Sequence, residues 1–343
     1  MKRLEGLILV LALALTIFLH CHYMSGLYYD QDEAAYANGT LELLNGRGWY
    51  SRPNTWGNKP PGVNYIFLSA FYFFGRSFIS IQIFALIAKL LSVFLLFLLA
   101  KTFFPEETKL RFLLPLLFAS FSSCEALQAN TSNLEIFLMP FEIAGILFLG
   151  LAVRNKKNDF CLFSGLALGL ALLIKQSALS VFFAGLCFLL AMKLIHRESL
   201  KGFLKRVFLY LSVFILPFFL FSCYAVYSGA WAKFLAYVWQ TNITYIKNVS
   251  ILRHIYMPWG LGQIWKALKF EIIIFGAFAF LGIIFSLRKY KQPERLLILC
   301  WLLISACVIS ISGFHLRHHF IEILAPFLAL SAIGIDDSCR RLF

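Results

Sequence analysis

Three carboxylates fall within four residues at Asp30, Asp32 and Glu33, just beyond the first long apolar run. Side chains so close repel one another and bind protons, a cation or a basic partner. A plainer reading stands beside that one. Asp32 and Glu33 open an amphipathic stretch, Ala34 to Leu44, and acids at a helix N-terminus are favoured by its dipole. Lys175 interrupts LALGLALLIKQSALSVFF, where a lysine at bilayer depth is costly unless it snorkels or pairs. Lys89 in LIAKLLSVF and Glu142 in MPFEIAG are comparable outliers that suit an intramembrane pair. His315, His318 and His319, taken with His254, have the residue type of a zinc site, but no fixed carboxylate or supporting partner is evident, and such histidines commonly mark the wet end of a helix. The His20-Cys21-His22 run reads the same way.

The elements that must position these residues are membrane helices. Hydrophobic residues make up 60% of the 343, aromatic residues 17% and charged residues 14%, with a mean hydropathy of +0.78. That is far from a soluble domain. Apolar runs long enough to cross a bilayer are expected at 5–24, 77–100, 111–126, 134–153, 160–175, 177–195, 207–227, 271–287, 296–313 and 318–335. The fold class is therefore all-α and polytopic, with about ten transmembrane helices. Residues 1–343 read as a single membrane domain without a separate soluble domain. Pro115 and the serines at 120, 122 and 123 make the third span the weakest. The first run, after Lys2 and Arg3, reads as an uncleaved signal anchor.

The segment GVNYIFLSAFYFF between Pro61 and Gly75 is too short to span. If it lies at the interface, the clusters around Lys101, Arg154, Arg197, Arg288 and Arg340 all join Lys2 and Arg3 on the cytoplasmic side, as the positive-inside bias requires. The formal charge of +14 is then a topology signal, and nucleic acid is excluded as a partner. Two outer segments remain, residues 25–76 and 228–270. The second carries Trp231, Trp239, Trp259 and Trp265 among lysines, the composition of interfacial helices or a lid. The eight cysteines show no CxxC pair or ligand spacing and read as inert core thiols.

In the first outer loop, Asp32-Glu33, Tyr36, Leu44, Gly46, Lys59-Pro60-Pro61 and Phe74-Gly75 follow one another at ordered spacing. The pattern resembles the GT-C membrane glycosyltransferases, most of all the protein O-mannosyltransferases of family 39 and the aminoarabinose or galacturonic acid transferases of family 83. Weaker echoes are the turn from Asn130 to Glu135, the Gly165, Gly169 and Lys175 pattern, and Arg317-His318-His319 with Pro326. The resemblance implies a GT-C fold with juxtamembrane helices in the first outer loop. It implies inverting transfer of a sugar from a polyprenyl-phosphate donor to a lipid A, glycan or protein acceptor outside the plasma (inner) membrane.

On that resemblance Asp32 is the catalytic base, and Glu33 or Asp30 orients it, raises its proton affinity or holds a divalent cation. Glu135 is a second acid. The leaving lipid phosphate needs cations, and Lys59, Lys175 and Arg317 are the candidates. No cofactor is implied except a divalent cation, Mg or Mn, and Asn58 stands where family 83 members often carry an acid, which leaves metal ligands unassigned. Two alternatives remain open: a transporter or lipid flippase using Lys89, Glu142 and Lys175 as a relay, and a non-catalytic member of the fold.

Overall fold

A computed structural model of the chain describes residues 2–24, 31–51, 58–247, 259–311 and 316–342. Every regular element among them is helical. In chain order these are α1 (Lys2–Met24), α2 (Gln31–Leu44), α3 (Gly62–Phe74), α4 (Phe78–Phe103), α5 (Thr108–Phe121), α6 (Leu134–Arg154), α7 (Asp159–Ile174), α8 (Leu179–His196), α9 (Leu200–Tyr227), α10 (Trp231–Phe234), α11 (Thr241–Lys247), α12 (Trp259–Arg288), α13 (Pro293–Ile311) and α14 (Ile321–Leu342). A π-helical run, Leu235–Gln240, joins α10 to α11.

Eight of these helical segments are long and apolar enough to cross a membrane. A helix that is apolar all round can satisfy its backbone only internally, which suits hydrocarbon surroundings. Each of the ten expected runs contributes a helix among its described residues, but two are short. The run expected at 111–126 forms only the 14 residues of α5, which contains Pro115. It ends in a tight turn at Ser122 to Cys124 followed by the 3-10 helix Glu125–Leu127. The fifth run forms the 16-residue α7, which stops where Lys175 adopts an extended backbone. Helix α3, at 13 residues, spans roughly 20 Å and is too short to cross. The span expected to begin at 271 starts earlier, because α12 runs from Trp259 across a kink at Leu268.

Helix α7 is wedged between α6 and α9. Its two glycines make this approach feasible: a Cβ on Gly165 would sit 2.3 Å from the Tyr210 carbonyl oxygen and one on Gly169 2.4 Å from that of Phe214. Small residues one turn apart are the usual means by which membrane helices bring their backbones together. The same packing fixes where α7 ends, and hence where Lys175 points.

Ion pairs close one end of the bundle. Arg295 donates to Glu107 and Asp337, each at 2.6 Å. Glu5 pairs with Arg111 at 2.7 Å and Lys101 at 3.0 Å, and Arg340 with Asp336 at 2.7 Å. These groups come from the basic clusters of the sequence. All eight cysteines are free, and Cys161 is the one that is fully buried; Cys21, Cys187, Cys223 and Cys307 are exposed rather than in the core.

Candidate active site

The opposite end of the bundle opens into a cavity of about 410 Å³. Its polar lining includes Asp32 on α2, Asn58 and Lys59 before α3, Glu135 in the first turn of α6, Lys175 to Ser177 after α7, Asn242 on α11, His318 and His319 just before α14, and Glu322 in its first turn. Residues as far apart as 32 and 322 therefore share one chamber.

Lys175 is the hub. Its ammonium donates to Glu135 and, at 2.5 Å, to Glu322, whose Oε1 also accepts from Ser177 Oγ at 2.9 Å. The lysine is buried, so a charge there survives only because two carboxylates compensate it. The local fold explains its aim: α7 ends at Ile174, Lys175 is extended, and the 3-10 turn Gln176–Ala178 restarts the helix. Of the two expected outcomes for this residue, snorkelling or pairing, pairing is what occurs.

Lys59 is distant from this hub in sequence but lines the same cavity and shares its field. Burial pushes its ammonium below the ordinary lysine value and Lys175 adds to the shift, while Asp32, Glu135 and Glu322 pull it back up. Tyr50 donates to the Lys59 carbonyl at 3.1 Å, and the Tyr50 ring stacks on Tyr237 with centroids 6.0 Å apart. The lysine is thus tied to the second outer segment. Gly62 sets the approach of this stretch to α7: a Cβ there would lie 2.5 Å from the Leu173 carbonyl oxygen.

The two adjacent acids on α2 part company. Asp32 lines the cavity. Glu33 is buried, and its Oε1 accepts from the Ser132 backbone N–H at 2.6 Å and from Gln82 Nε2 at 3.2 Å. It anchors α2 to the turn before α6 and is not part of the cavity lining. Tyr36, one turn on, does line it, and Asn64 Nδ2 donates to the Tyr36 carbonyl at 3.3 Å, docking α2 on α3. Asp30 lies outside the described residues, as do His254 and His315. Arg317 sits in the 3-10 turn Arg317–Phe320, partly exposed, and the lining takes the neighbouring His318 and His319 instead.

Lys89 and Glu142 are not a pair. Lys89 donates to the Ala129 carbonyl at 2.7 Å and to Ser123 Oγ at 3.1 Å, with His20 Nδ1 at 3.0 Å. The carboxyl oxygens of Glu142 have no hydrogen-bond partner among the described residues. Lys89 and Glu142 therefore do not form the intramembrane pair their sequence positions suggested.

Sequence reasoning missed Glu322, Gln176 and Asn242. Glu322 had a signal, an acid inside the apolar FIEILAPF opening the last helix. Gln176 and Asn242 had none, since single amides in polar turns are unremarkable.

Residues 58–227, just under half of the chain, match the family model described as dolichyl-phosphate-mannose-protein mannosyltransferase. Among solved structures, the ArnT of Cupriavidus metallidurans bound to undecaprenyl phosphate aligns with a TM-score of 0.62 at 14% identity, covering 95% of this chain and 60% of that one. The Archaeoglobus fulgidus oligosaccharyltransferase in the apo form aligns at 0.68 and 13% identity, covering 98% and 51%. Its complex with an inhibitory peptide and a dolichol-phosphate aligns at 0.65 and 13%, covering 99% and 52%. No curated protein matches in sequence. The chain has the GT-C fold of the membrane glycosyltransferases, and the family match, which begins at Asn58, takes in the Lys59-Pro60-Pro61 end of the first outer loop. It is a multi-pass integral membrane protein that spans between about half and three fifths of the length of those solved structures.

Proposed function

We propose that the protein is an inverting glycosyltransferase that takes a sugar from a polyprenyl-phosphate donor and passes it to an acceptor at the cavity end of the bundle. The observation that carries this reading is the convergence of Asp32, Lys59, Lys175 and Glu135, from four separate segments, on one cavity. Two of the solved structures of this fold were determined with undecaprenyl phosphate and dolichol-phosphate, which supports a lipid phosphate as the ligand.

Each group has a task in that chemistry. Asp32 accepts the proton of the attacking acceptor hydroxyl, which must come within hydrogen-bond reach. Charge then leaves the sugar as an oxocarbenium-like centre and accumulates on the departing phosphate. Lys59 compensates that charge directly; no ion-pair partner for its ammonium is present among the described residues. Lys175, already neutralised by Glu135 and Glu322, holds the floor of the site and yields part of its field to the phosphate. Glu33 positions α2, and through it Asp32. The basic clusters occupy the end away from the cavity, and the positive-inside bias supports an outward-facing cavity.

The test is transfer of radiolabelled sugar from a short-chain polyprenyl-phosphate donor by the purified protein. Asp32→Asn is expected to lower kcat by about 10²–10⁴-fold with KM for the donor little changed. Equal turnover in wild type and variant removes Asp32 as the base. Vectorial movement of a lipid-linked sugar without transfer would favour the flippase reading.

A further inference from the structure

The carboxylate of Glu135 and the rings of His318 and His319 offer three ligand atoms that all lie within 4.8 Å of one another. All three residues line the cavity. Their arrangement goes beyond simple proximity. His318 Nδ1 lies 3.0 Å from Gln128 Oε1, an amide oxygen that can only accept, so the Nδ1–H donates to it. The other ring nitrogen, Nε2, faces Glu135 Oε1 at 3.9 Å.

Gln128 is itself built for this task. It sits in the left-handed region at φ 54°, a conformation that costs a non-glycine residue of order 1 kcal/mol or more and tends to persist where the site needs it. Its backbone is tied on both sides: its N–H donates to the Glu125 carbonyl at 2.8 Å, and its carbonyl accepts from Thr131 Oγ1 at 2.8 Å. The main chain that carries this amide is therefore fixed before any ligand arrives, a support of the kind metal-bound imidazoles usually have.

Charge points the same way. Among the described lining residues, three carboxylates, Asp32, Glu135 and Glu322, face two ammonium groups, Lys59 and Lys175. One negative charge in excess is a poor receptacle for a phosphate. A divalent cation reverses the sign of the chamber and leaves Lys175 with its 2.5 Å partner Glu322.

We propose that Glu135, His318 and His319 bind a divalent transition-metal ion, zinc in the first instance, with its open coordination positions turned into the cavity. Two imidazoles and one carboxylate suit zinc better than the Mg or Mn expected from an all-acid site. Bonds of about 2.0–2.2 Å bring such ligands to within roughly 3.5 Å of one another, so closing the site takes side-chain movements of about 1 Å. In the glycosyl-transfer reading, on which only this last role rests, the open positions receive an oxygen of the donor phosphate.

The experiment is a Co²⁺ titration of the full-length protein in detergent after chelator treatment, followed by displacement with Zn²⁺. Wild type is expected to take up about one equivalent, with a visible ligand-field band of a low-coordinate nitrogen and oxygen site that zinc abolishes. His318→Ala with His319→Ala should lose both band and uptake, with the monodisperse elution of the wild type. Gln128→Leu, which touches no ion, should keep the band but bind about 10–100-fold more weakly. No saturable uptake by wild type, equal uptake by the double variant, or an unchanged affinity in Gln128→Leu overturns the proposal. Turnover enters none of these readouts. Loss of the metal site would leave sugar transfer to be judged on the Asp32→Asn assay, and a failed transfer assay would leave the metal site to stand on its own.

Discussion

Asn58 and Asn242, 184 positions apart, hold one another twice: Asn58 Nδ2 donates to Asn242 Oδ1 at 2.9 Å, and Asn242 Nδ2 donates to the Asn58 carbonyl at 2.8 Å. Gln176 Nε2 reaches the same carbonyl at 3.2 Å. The Asn58 side chain acts here as a donor, which an ionised carboxylate at position 58 could not be. The residue that departs from the family 83 pattern is thus the one that ties the Lys59 stretch to α11. Asn242→Ala is expected to release that stretch and weaken undecaprenyl phosphate binding about tenfold, at roughly 1 kcal/mol for each of the two bonds less the water that replaces them. Hydrogen exchange at the amides of 58 and 59 should quicken in the same variant. Unchanged exchange and affinity would show that the clasp has no part in holding Lys59.

The hub around Lys175 makes a different prediction. Lys175→Met strands Glu135 and Glu322 in a buried site, and losing one partner of such a network costs about 3–5 kcal/mol. The melting temperature should fall sharply. Adding Glu135→Gln and Glu322→Gln removes the stranded charges, so the triple variant should regain most of that stability while remaining inactive. Thermal unfolding in detergent and the transfer assay separate the two effects; recovery of activity with stability would mean Lys175 serves the fold alone.

What could be read from sequence follows the physics of the two kinds of information. The spans were legible because hydrocarbon demands long apolar helices, and the two that came out short, α5 and α7, end where Pro115 with its serines and Lys175 already broke the pattern. Asp32, Lys59 and Lys175 were legible by motif and by the cost of a buried charge. Successive helix residues point about 100° apart, so composition could not say that Asp32 would face the cavity while Glu33 turned to Ser132. The same one-residue ambiguity separates Arg317 from His318 and His319. Glu322 and Asn242 became site residues only through contacts across the whole chain, which no local pattern encodes.

The alkaline limb of lipid-phosphate binding should report Lys59. Burial, reinforced by Lys175, holds its ammonium below the ordinary lysine value, so the protonated form that a phosphate requires is lost at lower pH than for an exposed lysine near 10.4. Affinity should therefore decline as pH rises through that lowered value, and binding below it should take up no net proton at this group. Lys59→Arg keeps its charge throughout and should move the limb upward. An identical limb in both proteins, measured by isothermal titration across pH, would assign it to another group.

Lys89 supplies the sharpest contrast between the enzyme and transporter readings. Its ammonium is fully buried and is used up on the Ala129 carbonyl, Ser123 and His20. The turn it braces also presents the Ser132 N–H to Glu33 and the Gln128 side chain to His318. Lys89→Met should leave those acceptors unpaired, at about 1–3 kcal/mol for a buried group left unsatisfied, and lower the melting temperature by several degrees. The folded fraction should keep its transfer rate to within about threefold, because none of the hydrogen-bond partners of Lys89 lines the cavity. A relay residue behaves otherwise: its loss abolishes coupled movement of substrate while the fold survives. Proteoliposomes carrying Lys89→Met, assayed side by side for sugar transfer and for translocation of the lipid-linked donor, distinguish the two, and an intact melting temperature with lost translocation would reverse the assignment of Lys89 to structure.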